Sequence, residues 1–198
     1  MFDTVLIAGL GLMGGSMAKT IKARTLSRVL GWNRTRATAE QALADGSIDA
    51  IATEALYKEA DLVIIGLYPQ ATVDWLLENM PKMKKGCVIV DMVGVKQFMV
   101  DRLEQAALDA GVHYVGGHPM AGREFSGLDF ALSTLFDGAS MIFVPTKSST
   151  ERVLEQLEAY FMSLGFGQTV RCTAQQHDHM IAFTSQLAHV VSSAYIKS

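Results

Sequence analysis

Three glycines near the start of the chain limit its possible folds more than any other feature. Gly9, Gly11 and Gly14 have the spacing GxGxxG, between an apolar run that predicts a strand and a pattern that predicts a helix. In that context Gly9 permits the tight turn, Gly11 leaves room for a pyrophosphate, and Gly14 lets the helix pack close to the strand. The helix N-terminus offers free N–H groups to the phosphates. The segment, with Leu12 and Met13 between the glycines, therefore predicts a dinucleotide-binding turn.

Short apolar strands and longer helical patterns alternate along the rest of the chain. The predicted strands are Thr4 to Ala8, Arg28 to Trp32, Leu62 to Gly66, Val88 to Asp91, Tyr114 to Gly116 and Ser140 to Val144. The predicted helices are Gly14 to Ala23, Arg36 to Asp45, Thr72 to Met80, Val95 to Ala110 and Thr150 to Leu164. This alternation is typical of βαβ units. The sequence therefore predicts an α/β protein with a Rossmann-type, doubly wound, mostly parallel sheet and helices on both faces.

The expected domains are residues 1–170, which bind the dinucleotide, and residues 171–198, the first helix of an all-helical domain. Thr173 and Gln176 have the spacing of a capping box that would start this helix. Beyond it, apolar and polar residues separate onto opposite faces at about 100° per residue. The apolar face holds Met180, Phe183, Leu187, Val191 and Ala194, and the polar face holds Asp178, Ser185, His189 and Ser192. The polar face is expected to line a cleft or to contact solvent, and the rest of the helical domain is expected beyond Ser198.

Composition argues against several kinds of partner. The 198 residues are 49% hydrophobic and carry a net charge of -3 with scattered basic residues, so nucleic acid is not expected to bind. No apolar stretch is long enough to span a bilayer, and Asp3 stands where a signal peptide would be basic. Cys87 and Cys172 are expected to be reduced thiols, without a disulfide or metal. We therefore expect a cytoplasmic protein.

The form of the cofactor is left open by the end of the second predicted strand. An acid that binds the ribose 2′-hydroxyl of NAD is expected there, but the chain has Asn33 followed by Arg34 and, two residues on, Arg36. Arginines can pair with the 2′-phosphate of NADP, whereas Asn33 can still bond to a free hydroxyl. The sequence therefore predicts NAD or NADP.

A glycine-rich segment at residues 116–127 contains the main candidate for chemistry, His118. It is expected in a loop at the carboxyl end of a strand, where doubly wound folds bind their ligands. A lone histidine is more often structural, but the neighbouring Gly116, Gly117 and Pro119 fix a backbone rather than fill a core.

Three motifs together resemble the prephenate dehydrogenase family. They are GLGLMGGS at Gly9 to Ser16, GHPMAGRE at Gly117 to Glu124, and HDHMIAFTSQLAH at His177 to His189, and they occur in the family's order. The resemblance covers essentially the whole chain, and its second and third motifs are far more specific than the glycine pattern.

The resemblance implies oxidative decarboxylation of prephenate, or alternatively of arogenate, in tyrosine biosynthesis, with NAD or NADP as cofactor. It makes His118 the catalytic base for the ring hydroxyl, places Ser185 and His189 in the substrate pocket, and puts Glu124 at the mouth of that pocket. It also implies a homodimer formed through a C-terminal helical domain. With an ordinary histidine pKa of about 6.5, activity is expected to rise between about pH 6 and 8.

The chain departs from the family's pattern at two points. Residues 91–96 read DMVGVK, so Gly94 stands where the family commonly has a serine. The rest of the family's helical domain, with an arginine for a substrate carboxylate, is expected beyond Ser198, so we expect cofactor binding but poor turnover from these residues alone.

Two other functions stay open. A β-hydroxyacid dehydrogenase shares the GLGxMG motif but uses a lysine on a later helix, where this chain offers only Lys197. A non-catalytic cofactor-sensing domain would keep the fold without the chemistry.

Overall fold

The computed structural model describes residues 2–183. Its strands are β1 Thr4–Ala8, β2 Arg28–Trp32, β3 Ala50–Ile51, β4 Leu62–Ile65, β5 Val88–Asp91, β6 His113–Pro119, β7 Ser140–Pro145 and β8 Gln168–Arg171. Its α-helices are α1 Leu12–Arg24, α2 Arg36–Ala44, α3 Glu54–Tyr57, α4 Pro69–Asn79, α5 Gln97–Ala110, α6 Glu151–Ser163 and α7 Ala174–Ile181. Short 3₁₀ turns cover Met80–Lys82 and Leu128–Phe130.

The strands form one eight-stranded sheet in the order β3-β2-β1-β4-β5-β6-β7-β8. All neighbouring pairs are parallel except β6 and β7. The predicted mostly parallel, doubly wound sheet is confirmed. The strand order reverses between β1 and β4, and the crevice outside their carboxyl ends is where such folds bind ligands.

The central strands are buried on both faces because helices cover both sides of the sheet. Alternate side chains of β1, β4 and β5 enter different cores: Ile7, Ile64 and Val90 belong to one, together with residues of α1 and α6. The other core packs α4 and α5 against the opposite face. This double burial explains why these strands read as continuous apolar runs.

The structure corrects several predicted boundaries. β3, α3 and β8 were not predicted, because elements of two to four residues carry little periodic signal. α5 begins at Gln97 rather than Val95. β6 continues to Pro119, so His118 lies on a strand and not in a loop. The extension arises because β7 pairs antiparallel with this end of β6, with His118 opposite Ile142.

The last described helix begins as predicted but packs differently. Thr173 and Gln176 form both hydrogen bonds of a capping box. His177 and Ile181 are buried, whereas Met180 and Phe183 of the predicted apolar face are 41% and 62% exposed. Within the described residues, the face of α7 that packs against the sheet domain therefore carries His177 and Ile181. The other three residues of the predicted apolar face, Leu187, Val191 and Ala194, lie outside the described residues.

Two further observations concern residues 2–183. Cys87 is buried and Cys172 half-buried, and both are free thiols. No helix in this range has both the length and the apolar character needed to cross a membrane.

Candidate functional site

The glycine turn forms an open cradle at the start of α1. Gly9 has a φ of 94°, a conformation that favours glycine. A Cβ on Gly14 would lie 1.8 Å from the Gly9 carbonyl oxygen, whereas a Cβ on Gly11 would meet nothing within 4 Å. Among residues 2–183, no side chain caps the first-turn N–H groups of α1. The backbone thus leaves space and free donors together, which fits a pyrophosphate.

Two clefts meet at Gly11, at the crevice between β1 and β4. One has a volume of about 520 Å³ and includes Trp32, Arg34 and Trp75 in its wall. The other, of about 280 Å³, runs past Leu12 and Met13 toward Met92 and the loop at 125–127. Their arrangement on either side of the glycine turn fits the two halves of a dinucleotide.

The cleft that would contact the adenosine ribose is lined by Asn33 and Arg34, and also by the acids Asp74 and Glu78. Asn33 is held by the protein itself, because its Oδ1 accepts a bond from Leu10 N at 3.0 Å and its Nδ2 donates to Thr35 O at 3.1 Å. Arg34 is exposed. Arg36 instead pairs with Glu40, with 2.8 Å between Nε and Oε1. Arg34 is therefore the cation that faces this cleft, and Asn33 retains only part of its hydrogen-bonding capacity for a ribose hydroxyl.

His118 lies half-buried at the end of β6, with the carbon and nitrogen of one ring edge beside Gly94. A Cβ on Gly94 would stand 3.7 Å from both Cε1 and Nε2 of His118. Because Gly94 is exposed, Nε2 lies near the surface at the carboxyl ends of β5 and β6. Met92, two residues before Gly94, belongs to the wall of the smaller cleft. The segment after β5 thus runs from the wall of this cleft, at Met92, to the residue beside the imidazole, Gly94.

The environment of His118 disfavours its charged form. Burial lowers its pKa to about 4, and the positive charge of Lys96 and the neighbouring His177 act in the same direction. The imidazole is neutral at physiological pH and can accept a proton. An ordinary histidine pKa predicts a rise in activity between pH 6 and 8. The lowered pKa of His118 corrects that expectation, because the imidazole is already neutral throughout this range.

A buried ion pair between Lys96 and Asp91 lies close enough to His118 to affect its pKa. Lys96 Nζ lies 2.5 Å from Asp91 Oδ1, and neither side chain is exposed. Asp91 also accepts bonds from Tyr114 Oη at 2.7 Å and from Val93 N at 2.8 Å. These contacts join the ends of β5, β6 and α5 in one network.

Sequence reasoning missed the contacts of His177 and Asp178. Nε2 of His177 lies 2.8 Å from His118 Nδ1, and Nδ1 of His177 lies 2.7 Å from Asp178 Oδ1. Asp178 was assigned to a polar face directed at a cleft or solvent, but it accepts bonds from the backbone N–H groups of Lys96 and Gln97. It therefore caps α5, which explains why that helix begins at Gln97. The signal available in the sequence was the HDH triplet itself.

Of the remaining predicted site residues, the structure describes Glu124. Glu124 is exposed in the loop after β6, which also carries Phe125 stacked on Phe130 at 4.7 Å. Ser185 and His189 lie outside the described residues.

A protein-family model and two curated relatives each match most of the chain. Residues 17–168 match the family model described as prephenate dehydrogenase, nucleotide-binding domain. A prephenate dehydrogenase of Bacillus subtilis (strain 168) is 33% identical over 99% of this chain and 53% of its own length. A cyclohexadienyl dehydrogenase of Zymomonas mobilis is 30% identical over 96% of this chain and 65% of its own length. The chain thus spans between about half and two thirds of these relatives.

Solved structures resemble the fold over nearly the whole chain. Synechocystis arogenate dehydrogenase superposes with a TM-score of 0.90 at 27% identity, covering 98% of this chain and 68% of that one. A prephenate dehydrogenase from A. aeolicus, in complex with hydroxyphenyl propionate and NAD+, superposes with a TM-score of 0.89 at 25% identity. The match covers 100% of this chain and 69% of that one. A 3-hydroxyisobutyrate dehydrogenase from Mycobacterium tuberculosis, with a TM-score of 0.76 at 16% identity, covering 99% of this chain and 65% of that one, shares the fold alone.

Proposed function

The chain belongs to the prephenate dehydrogenase family, and on this premise we propose that it oxidises and decarboxylates prephenate with NAD or NADP, in tyrosine biosynthesis. The observation that carries the proposal is His118: a neutral imidazole whose Nε2 edge lies beside exposed Gly94. Gly94 follows by two residues Met92, which lines the cleft that starts at the glycine turn.

The cofactor would be held at both ends of the glycine turn. The first-turn N–H groups of α1, together with Gly11, would receive the pyrophosphate, and Leu12 and Met13 would contact the nicotinamide half. Arg34 would pair with a 2′-phosphate, while the free N–H of Asn33 would serve a 2′-hydroxyl. The oxidised nicotinamide, when bound, accepts a hydride from the substrate carbon that carries the hydroxyl.

The protein's contribution to the chemistry is one base and an orientation. Nε2 of His118 accepts a hydrogen bond from the ring hydroxyl and takes its proton as the hydroxyl becomes a carbonyl. Loss of carbon dioxide then makes the ring aromatic, so the substrate supplies most of the driving force. A neutral base with a low pKa orients the hydroxyl more than it drives the proton transfer.

Arogenate is the second candidate substrate, because a Synechocystis arogenate dehydrogenase superposes on the chain. Prephenate and arogenate differ only in the side chain, where an amine replaces a keto group. Ser185, His189 and Glu124 are proposed as the residues that contact the substrate. Residues 171–198 are proposed to begin a helical domain that forms a homodimer, and the protein is proposed to act in the cytoplasm.

The two rival functions predict different products. A β-hydroxyacid dehydrogenase would oxidise a small hydroxyacid without releasing carbon dioxide. A cofactor-sensing domain would bind the nucleotide and reduce none of it.

The test is reduction of NAD and of NADP, followed by absorbance of the reduced nicotinamide, with prephenate, arogenate or 3-hydroxyisobutyrate. We expect reduced cofactor and carbon dioxide in equal amounts from prephenate. Reduction only with the hydroxyacid would support the first rival. Cofactor binding without reduction by any of the three, in a chain that also contains the helical domain expected beyond Ser198, would support the sensor.

A further inference from the structure

His118 is the first of three side chains that two short polar contacts join in a row. His118 Nδ1 and His177 Nε2 are 2.8 Å apart, and His177 Nδ1 and Asp178 Oδ1 are 2.7 Å apart. His177 is fully buried, with 0% of its surface exposed. Which ring nitrogen of His118 is free to accept a proton depends on where each proton of this row lies.

The row starts at a carboxylate that can only accept. Asp178 receives the backbone N–H groups of Lys96 at 2.7 Å and Gln97 at 2.9 Å, at the N-terminus of α5. Burial raises the pKa of Asp178, but the bonds from Gln97, His177 and Lys96 outweigh it, and the net pKa is lowered. The ionised carboxylate has no proton to donate, so the proton of the bond to His177 is on the histidine Nδ1.

Both imidazoles in the row are neutral at physiological pH. Burial, with the charge of Lys96, lowers the pKa of His177 despite its bond to Asp178. The charged groups that act on the pair are Lys96 on one side and Asp91 and Asp178 on the other. A neutral His177 with its proton on Nδ1 has a bare Nε2, which accepts from His118. A neutral His118 that donates through Nδ1 has a bare Nε2.

We propose that His177, held by Asp178, is a positioning residue that fixes His118 in the tautomer with its proton on Nδ1 and its lone pair on Nε2. The inference rests on the proposed function, in which Nε2 is the atom that accepts the substrate proton. The other tautomer would place a hydrogen on Nε2 and leave no acceptor beside Gly94. The same row also fixes the ring plane, since His118 is bonded at the nitrogen opposite to the working edge.

The first test reads the tautomer directly and needs no substrate. Histidine labelled with ¹⁵N is followed at pH 7 by correlation of ring carbon-bound protons with both ring nitrogens, and His118→Asn identifies the signals of His118. We expect His118 and His177 each to carry the proton on Nδ1. A proton on Nε2 of His118 in the unmodified protein overturns the proposal.

Two variants of His177, with a third variant as control, then separate positioning from packing. His177→Leu fills the space without an acceptor and should move the proton of His118 toward Nε2, with kcat lowered roughly 10- to 100-fold and KM changed much less. His177→Gln keeps an acceptor for His118 Nδ1 and a donor for Asp178, and should recover most of the lost kcat. His179→Leu, on the exposed side of the same helix, should leave tautomer and kcat unchanged.

The outcomes distinguish this proposal from the proposed function. The predicted tautomer in a protein that oxidises neither prephenate nor arogenate leaves the positioning intact and removes the function. Oxidation of prephenate with tautomer and kcat unchanged in His177→Leu overturns the positioning and leaves the function. If His177→Leu does not fold, the spectra of the unmodified protein and of His177→Gln provide the test. A proton on Nδ1 of His118 supports the positioning, and a proton on Nε2 overturns it.

Discussion

Replacing Lys96 by methionine should destabilise the protein severely, because it removes the cation from a fully buried pair. Lys96 and Asp91 are 0% exposed, with 2.5 Å between Nζ and Oδ1. Methionine is flexible, apolar and of similar length, so the change deletes a charge while leaving little empty space. Asp91 would keep its bonds from Tyr114 Oη and Val93 N but would have no positive charge beside it.

The expected cost follows from that uncompensated charge. Breaking a buried ion pair by removing one partner costs about 3 to 5 kcal/mol, a large part of the 5 to 15 kcal/mol that typically separates folded from unfolded protein. Adding Asp91→Asn removes the negative charge and keeps an oxygen for Val93 N. The double variant should therefore be more stable than the sum of the two single changes by about 1 to 3 kcal/mol.

The assay is urea unfolding followed by the fluorescence of Trp32 and Trp75. Lys147→Met is the matched control: the Lys147 side chain is 81% exposed and paired with Glu104, so its loss should cost less than about 1 kcal/mol. If Lys96→Met unfolds within about 1 kcal/mol of the unmodified protein at an unchanged urea slope, the buried pair is not charged and the reasoning is wrong.

Three further predictions concern the site. With a pKa of about 4, His118 stays neutral from pH 6 to 8, so kcat should be flat there and fall only as pH approaches 4; an ordinary pKa would leave only about a quarter of the base neutral at pH 6. Arg34→Ala should weaken NADP by roughly 10-fold or more relative to NAD in fluorescence titrations, and Arg36→Ala should change the ratio little, since Arg36 pairs with Glu40. Gly94→Ser should fold normally, because its Cβ would sit 3.7 Å from the His118 ring, and its hydroxyl should change kcat by up to about 10-fold; a loss of stability above about 2 kcal/mol would contradict the open space seen there.

The sequence predicted the larger elements and the glycine turn because both depend on local patterns. The strands β1, β2 and β5 agree at both ends with their predicted ranges, since their apolar runs are bounded by turn residues. The turn at Gly9 to Gly14 was predictable because Gly9 and Gly14 occupy positions that a side chain would obstruct, and because a strand and a helix pattern lie on either side of the glycines.

The contacts around His118 could not be predicted because they join residues distant in the chain. His118 and His177 are 59 positions apart and meet only because α7 packs beside the end of β6. The pKa of His118 depends on burial and on Lys96, which no local pattern reveals. The burial of His177 and Ile181 on α7 was not predicted either, because the apolar pattern of that segment points to Met180 and Phe183.

The measurement that tests the central claim most directly is the His118→Asn variant, compared with the unmodified protein for turnover of prephenate and for cofactor affinity. Trp32 and Trp75 contact the larger cleft, so quenching of their fluorescence reports cofactor binding without substrate. We predict that kcat falls by about 10² to 10⁴ while the Kd of the cofactor changes less than about twofold. Unchanged turnover, or a loss of cofactor binding that accounts for the lost rate, would show that His118 is not the base.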